Sequence, residues 1–254
     1  MSEPAPAYPQ FPPGFWRRIV LHPGEGWIGG AVEDDMHHFR LRFDHEDGVI
    51  VAARSSAVRH PWTGCGGAPD HIVARLTGDT LAEVARRDPK EHCTHLFDLA
   101  VLMAAHAGDS APTILDMRVA DAVQGRTTAT LHCNGAERLR LNIDGSVIDA
   151  PEPYAGLDLK QVSRWKNDLD PETAELMVIL RRAVYVSSAR QYIGRMPAGM
   201  EGTQSPLAEH APCFNYRSPV IEETRSLYEM QDFSESGLGP LEDLDPKRDF
   251  AALG

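Results

Sequence analysis

The chain has 254 residues, of which 42% are hydrophobic and 24% charged, as is usual for a globular protein rather than a disordered one. Its net charge of −12 argues against nucleic acid or an anionic membrane as a partner, because clustered lysine and arginine bind both. No apolar run approaches the roughly 20 residues that span a bilayer, and no signal peptide is recognisable. The four cysteines form no CxxC pair and predict reduced thiols, so the composition predicts a cytoplasmic protein acting on small molecules or proteins.

Composition divides the chain into four parts. The Pro-rich residues 1–14 predict a flexible arm, and residues 205–254, rich in Pro, Gly and Glu, predict a tail that wraps over the body or a neighbouring subunit. Between them lie two α+β halves of one compact body, residues 15–110 and 111–204. Strands followed by helices, twice, predict an α+β fold with antiparallel sheets and helices packed on one face.

Local patterns predict the elements of the first half in chain order. Residues 17–21 predict a strand, and residues 26–44 alternate between apolar and polar positions as one further strand. Asp47-Gly48 predicts a hairpin turn to a partner strand. Residues 93–107 are apolar nearly all round, which predicts a helix buried in the core.

The remaining elements follow from turn and capping residues. The capping box Thr80-x-x-Glu83 predicts a helix start, and Asp170-Pro171 predicts the start of a long helix. Three further strands and two turns are predicted at 113–122, 126–133, 137–143, Asn134-Gly135 and Asp144-Gly145.

The glycines at 24, 26 and 29 match the GxGxxG spacing of dinucleotide-binding loops. That loop works only where a helix begins, since the helix N-terminal amides face the pyrophosphate. A strand pattern follows here instead, so the sequence predicts no nucleotide site.

Residues 33–38 are unusually rich in ionisable groups for the start of a strand. Glu33, Asp34 and His38 predict a solvated strand end. Asp35 and His37 share the face of the apolar residues 39, 41 and 43, where an unpaired charge is costly. A carboxylate beside an imidazole at such a position suits acid–base catalysis or metal binding.

Two further segments combine thiols with imidazoles. Cys65 lies among three glycines just before a predicted helix, whose N-terminal amides would stabilise a thiolate. His92, Cys93 and His95 open the most hydrophobic helix of the chain. Buried structural roles for these residues stand as the alternative. Cys133 and Cys213 are predicted to be structural.

Three segments resemble the sequence motifs of a bacterial family catalogued as domain of unknown function 2889. They are EDDMHHF at 33–39, HPWTGCGGA at 60–68 and CTHLFDLA at 93–100. The resemblance covers residues 15–190. The family name implies no activity. The resemblance favours a role in the breakdown of aromatic, lignin-derived compounds.

A second resemblance concerns architecture. Residues 27–107 resemble the iron–sulfur scaffold proteins of the NifU N-terminal type, with a Gly-Cys-Gly turn before a helix and a His-Cys pair opening the last helix. A cysteine of that family falls on Glu33, so one thiolate is missing. The resemblance then implies a zinc site with the ligands Asp35, Cys65, His92 and Cys93.

These observations favour an enzyme without an organic cofactor, a lyase or decarboxylase acting on a phenolic aromatic compound. Deprotonation of the phenol would expel a benzylic substituent and release carbon dioxide or formaldehyde. The predicted catalytic residues are Asp35, His37, Arg59 and His95, and the predicted substrate contacts are His38, Trp62 and Tyr185. A homo-oligomer is expected.

The alternative is a metal-binding or carrier protein of the scaffold type, holding zinc or an iron–sulfur cluster. The missing thiolate and the large second half argue against it. A purely structural role is the third interpretation.

Overall fold

The computed structural model describes residues 13–193, 196–210, 213–227 and 230–253, so most of the predicted N-terminal arm lies outside the described residues. Within these residues, an antiparallel sheet of eight strands has the order β4-β3-β2-β1-β5-β6-β7-β8. The strands are β1 (Gly14–Gly24), β2 (Trp27–Asp34), β3 (His38–Glu46), β4 (Val49–Arg59), β5 (Thr113–Ala120), β6 (Arg126–Cys133), β7 (Ala136–Asp144) and β8 (Val147–Ala150).

Two long helices and six short ones accompany the sheet in the described part of the chain. They are α1 (Ala68–Leu76), α2 (Leu81–Val84), α3 (Thr94–His106), α4 (Val162–Trp165), α5 (Pro171–Ile193), α6 (Val220–Glu223), α7 (Phe233–Ser236) and α8 (Pro246–Ala251). None of these helices combines the length and apolar character needed to cross a membrane. The predicted α+β class is confirmed.

The turn and capping predictions are confirmed because they depend on backbone chemistry a few residues long. Asp47 and Gly48 both have positive φ, 46° and 77°, as the tight hairpin between β3 and β4 requires. Asn134 and Gly135 repeat this between β6 and β7, with φ of 49° and 81°. The Thr80–Glu83 capping box opens α2.

The two predicted halves share one sheet, because β1 pairs with β5 as well as with β2. Arg18 of β1 binds Asp116 of β5 at 2.7 Å, across 98 residues of sequence. Helices α3 and α5 bury one face of this sheet, where Phe39, Leu41 and Phe43 of β3 are fully buried. The short tail helix α8 covers the opposite face with Phe250.

Two adjacent glycines of β2 let helices approach the sheet from both sides. A Cβ atom on Gly29 would lie 2.4 Å from the ring of Phe250 in α8. One on Gly30 would lie 2.6 Å from the sulfur of Met103 in α3. Gly29 therefore belongs to the close packing of β2 against the tail.

The expectation of one continuous strand over residues 26–44 is wrong. The segment forms β2 and β3, which pair with each other through a tight turn at residues 35–37. The turn shifts the alternation by one residue: the positions that face α3 and α5 are even-numbered in β2, as Ile28 and Val32, and odd-numbered in β3, as Phe39 and Leu41. This turn decides which of the two buried carboxylates, Asp34 or Asp35, lies beside His37.

Candidate metal and acid–base site

Asp34, the last residue of β2, fixes the turn into β3 with its own side chain. Its Oδ1 accepts hydrogen bonds from the backbone N–H groups of Met36 and His37, each at 2.9 Å. Its backbone N–H donates to the carbonyl of His37 at 2.8 Å. Asp is favoured at such turns because its short carboxylate reaches the following amides.

Arg17 supplies the counter-charge of Asp34. The two residues face each other across β1 and β2, and Arg17 donates to Asp34 Oδ2 through Nε at 3.0 Å and Nη2 at 2.5 Å. Both are buried, with exposures of 2% and 0%. Burial by itself would raise the pKa of Asp34, but Arg17 and His37 outweigh it and hold that pKa well below its usual range. The carboxylate is therefore ionised.

Two imidazoles complete the cluster on the core face of the sheet. His37 Nδ1 lies 3.0 Å from Asp34 Oδ1. His95, in the first turn of α3, stacks on His37 with 3.8 Å between ring centroids. Its Nε2 is buried, lies 3.6 Å from Asp34 Oδ2 and has no hydrogen-bond partner among the described residues. The ligand atoms of these three residues all lie within 4.8 Å of one another.

His95 is held neutral in this cluster. Burial and the nearby His37 and Arg17 lower its pKa well below the ordinary value for histidine. On its other side, Nδ1 lies 4.0 Å from Cys93 Sγ. Burial raises the pKa of Cys93 to about 12, so the sulfur is a thiol at neutral pH. A neutral imidazole with an unused nitrogen lone pair is the form of histidine that binds metals.

Of the predicted catalytic residues, the structure brings His37 and His95 together, and the carboxylate beside them is Asp34 rather than Asp35. The turn at residues 35–37 breaks the alternation that would have placed Asp35 on the face of His37. The solvated end predicted for Glu33, Asp34 and His38 is wrong, since their exposures are 8%, 0% and 6%.

Asp35 instead meets Arg190 of α5. Arg190 Nε donates to Asp35 Oδ2 at 2.7 Å, and the same guanidinium binds Asp121 at 2.9 Å and Asp232 of the tail. Burial and the neighbouring charge of Asp34 raise the pKa of Asp35 to about 7, against the opposing effect of Arg190. One arginine thus joins the β2–β3 turn, the loop after β5 and the tail.

Arg59 supports the turn from β4. Its guanidinium donates to the carbonyls of Asp34 and Asp35, each at 2.7 Å, and to Glu33 Oε1 at 3.0 Å. Glu33 Oε2 accepts the backbone N–H of Leu241 from the tail at 2.6 Å. Arg59 therefore positions the residues that form the cluster.

The predicted substrate contacts lie in three different places. His38 contacts Glu33 at 3.4 Å on the face opposite the cluster. Trp62 is buried edge-on against Tyr216, with 5.8 Å between ring centroids. Tyr185 lines a separate cavity of about 600 Å³.

The four predicted zinc ligands do not form one coordinating group among the described residues, although Cys93 lies close enough to Cys65 to raise its pKa. Asp35 is bound to Arg190, and His92 stacks on Phe97 with 5.0 Å between ring centroids. Cys65 is a buried thiol whose pKa is raised, first by burial. Among the described residues, the group of three or more ligands within coordinating distance is Asp34, His37 and His95.

A signal for Asp34 was present in the sequence. Glu25-Gly26 is a turn, and a hairpin folded there sets Arg17 opposite Asp34. Opposite charges facing each other across two strands, on the face that also carries Phe15 and Ile19, would have predicted a buried ion pair. The strand predicted at residues 17–21 was too short to reveal this register.

No known family model matches the chain, and no curated protein matches it. The two resemblances, the oligomeric state and the cellular compartment therefore stay predictions.

Proposed function

We propose that this protein binds one divalent transition-metal ion through Asp34, His37 and His95, and that the ion is the centre of its activity. The observation that carries the proposal is the buried, unpartnered Nε2 of His95, directed toward an ionised and fully buried carboxylate. A buried ring nitrogen without a partner is costly in either tautomer, and a ligand that bonds to its lone pair would remove that cost. A metal ion would do so.

The spacing and type of the ligand atoms support this assignment. Metal–ligand bonds of about 2.0–2.2 Å place neighbouring ligand atoms roughly 3.0–3.6 Å apart. Asp34 Oδ1 lies 3.0 Å from His37 Nδ1, and Asp34 Oδ2 lies 3.6 Å from His95 Nε2, so each carboxylate oxygen faces one imidazole. Two histidines and one carboxylate suit zinc or iron(II) and leave coordination positions open for a substrate. Arg17 would hold the ligating carboxylate as an outer-shell partner.

Metal analysis of untagged protein tests the proposal. About one equivalent of zinc or iron is expected in the wild type after purification without chelators. His95→Gln should lower the affinity for added zinc by about 100-fold or more, because loss of a ligand costs at least as much as loss of an outer-shell partner.

The matched control is His106→Gln, in the last turn of the same helix. His106 binds Asp109 and Glu175 and lies outside the cluster, so this variant should keep the wild-type metal content. A wild-type protein that takes up no zinc, iron, cobalt or manganese at micromolar concentration would contradict the metal proposal.

A second candidate is the metal-free lyase predicted from the sequence, and the hydrogen-bonded pair of Asp34 and His37 favours it. A carboxylate that orients an imidazole is a common arrangement for a general base. His37 is the most exposed residue of the cluster, with an exposure of 9%. It would take the proton of a phenolic substrate, and Arg17 would keep Asp34 ionised.

The second candidate predicts a large loss of turnover in His37→Gln. A panel of phenolic, lignin-derived compounds with a benzylic ether would be assayed for release of carbon dioxide or formaldehyde. A general base contributes about 10²–10⁴-fold in rate, and the variant should lose that much. His132→Gln on β6 is the control. Unchanged turnover in His37→Gln would remove His37 from the mechanism. Activity that survives complete removal of metal by a chelator would favour this candidate over the metal proposal.

A further inference from the structure

A groove of about 860 Å³ lies on the side of α3 that faces α5, away from the cluster. The face of α3 that carries His95, Leu99 and Met103 packs against the sheet. A different face of the helix lines the groove. The apolar part of the lining comes from Phe97, Val101, Leu102, Val162, Val178 and Ile179. The groove is large enough for a small organic molecule and mainly apolar, as ligand sites usually are.

The groove is lined by more cationic than anionic side chains, whereas the chain as a whole has a net charge of −12. Its cations are Lys90, Lys166, Arg181 and Arg182, and its carboxylates are Asp98 and Glu175. Both carboxylates are already paired: Asp98 binds Arg182 at 2.6 Å and Glu175 binds His106 at 3.0 Å. Hydrogen bonds to Glu175 and Asp109 raise the pKa of His106 to about 9, so that pair is charged at neutral pH.

Three cations are therefore left without a carboxylate. Within the described residues, Lys90 and Lys166 take part in no ion pair, and Arg181 donates to the carbonyl of Leu159. The chain has only four lysines against a net charge of −12, and two of the four line this one groove. Unpaired ammonium groups at the rim of a cleft with apolar walls attract an anion more strongly than the same groups on a flat surface.

We propose that this groove binds a small amphipathic carboxylate, with an aryl or alkyl body on the apolar floor between α3 and α5 and its carboxylate among the rim cations. The apolar lining requires a body that water solvates poorly. The modest excess of positive charge suits one carboxylate rather than a polyphosphate. The proposal is independent of the metal cluster, which lies on another face of α3.

Calorimetric titration of the full chain with 2-naphthoate and decanoate tests the proposal. The uncharged 2-naphthamide and decanol serve as counterparts. The wild type should bind each carboxylate at least ten-fold more tightly than its uncharged counterpart. Lys90→Glu/Lys166→Glu should weaken carboxylate binding at least ten-fold and leave binding of the uncharged probes unchanged, because the apolar floor is intact.

The two remaining lysines provide a matched control with the same change in net charge. Lys160→Glu/Lys247→Glu should bind the carboxylates as the wild type does, since neither residue lines the groove. Equal weakening in both double variants would reduce the effect to overall charge and overturn the proposal. A wild type that binds neither carboxylate at millimolar concentration would also overturn it. The proposal would also be overturned if the wild type were a dimer that Lys90→Glu/Lys166→Glu dissociates, because a second copy of the chain would then occupy the groove.

Discussion

Asp34→Asn is expected to lower the free energy of unfolding by about 3–5 kcal/mol at pH 7, because it leaves a buried guanidinium without its counter-charge. Arg17 is 2% exposed and directs two nitrogen atoms at the lost charge. The asparagine can still accept the backbone hydrogen bonds of the β2–β3 turn, so the loss measures the charge rather than the turn. Urea unfolding at several pH values would measure it.

The pH dependence of this loss has a defined sign. The pKa of Asp34 in the folded protein is well below its ordinary value, so the carboxylate stabilises the fold above about pH 4 and loses that effect as the pH falls further. The difference between wild type and Asp34→Asn should therefore shrink in acid.

The neighbouring pair of Arg18 and Asp116 is the control for Asp34→Asn. It joins β1 to β5 at 2.7 Å and keeps side-chain exposures of 14% and 18%. Asp116→Asn should cost less, about 1 kcal/mol, because solvent reaches this partly buried pair and screens it more than the fully buried one. If Asp34→Asn lost as little stability as Asp116→Asn, Arg17 would have another way to compensate its charge, and the expected result would be contradicted.

Arg190→Met should be comparably destabilising, by about 3–5 kcal/mol at pH 8, because it removes the shared partner of Asp35, Asp121 and Asp232. The tail should also loosen from the body, since Asp232 anchors it through this arginine. Denaturant unfolding measures the first effect, and hydrogen exchange of residues 230–241 measures the second.

The loss in Arg190→Met should be smaller at pH 5.5 than at pH 8. Since the pKa of Asp35 is raised to about 7, the native protein carries a neutral Asp35 at pH 5.5, and a neutral acid needs no cation. The same shift makes the contribution of Asp35 to wild-type stability decline as the pH rises from about 4 through about 7.

Two further variants make the interpretation of Arg190→Met specific. Arg182→Met, also on α5, breaks the half-buried pair with Asp98 and should show no such dependence on pH near 7. Adding Asp35→Asn to Arg190→Met should recover part of the stability at pH 8. A loss that stays constant from pH 5.5 to pH 8 would contradict the assigned role of Asp35.

The elements with local signals could be predicted from the sequence. Asp47-Gly48 and Asn134-Gly135 set two hairpins because only a few residue types accept positive φ, and Thr80 with Glu83 set the start of α2. The continuous apolar character of residues 93–107 determined that α3 is buried. His37 and His95 could be identified because burying a polar side chain among such apolar neighbours is costly unless it has a partner.

Which carboxylate lies beside these histidines, and what surrounds it, depends on tertiary packing. A strand displaced by one residue exposes its other face, so the turn at residues 35–37 directs Asp34 to the cluster and Asp35 to Arg190, a choice that alternation cannot make. Contacts such as Asp34 with His95, and Asp35 with Arg190 across 155 residues, depend on the packing of α3 and α5 against one sheet. Such contacts produce no periodic pattern in the sequence, because their free energy comes from burial and pairing once distant segments have packed together.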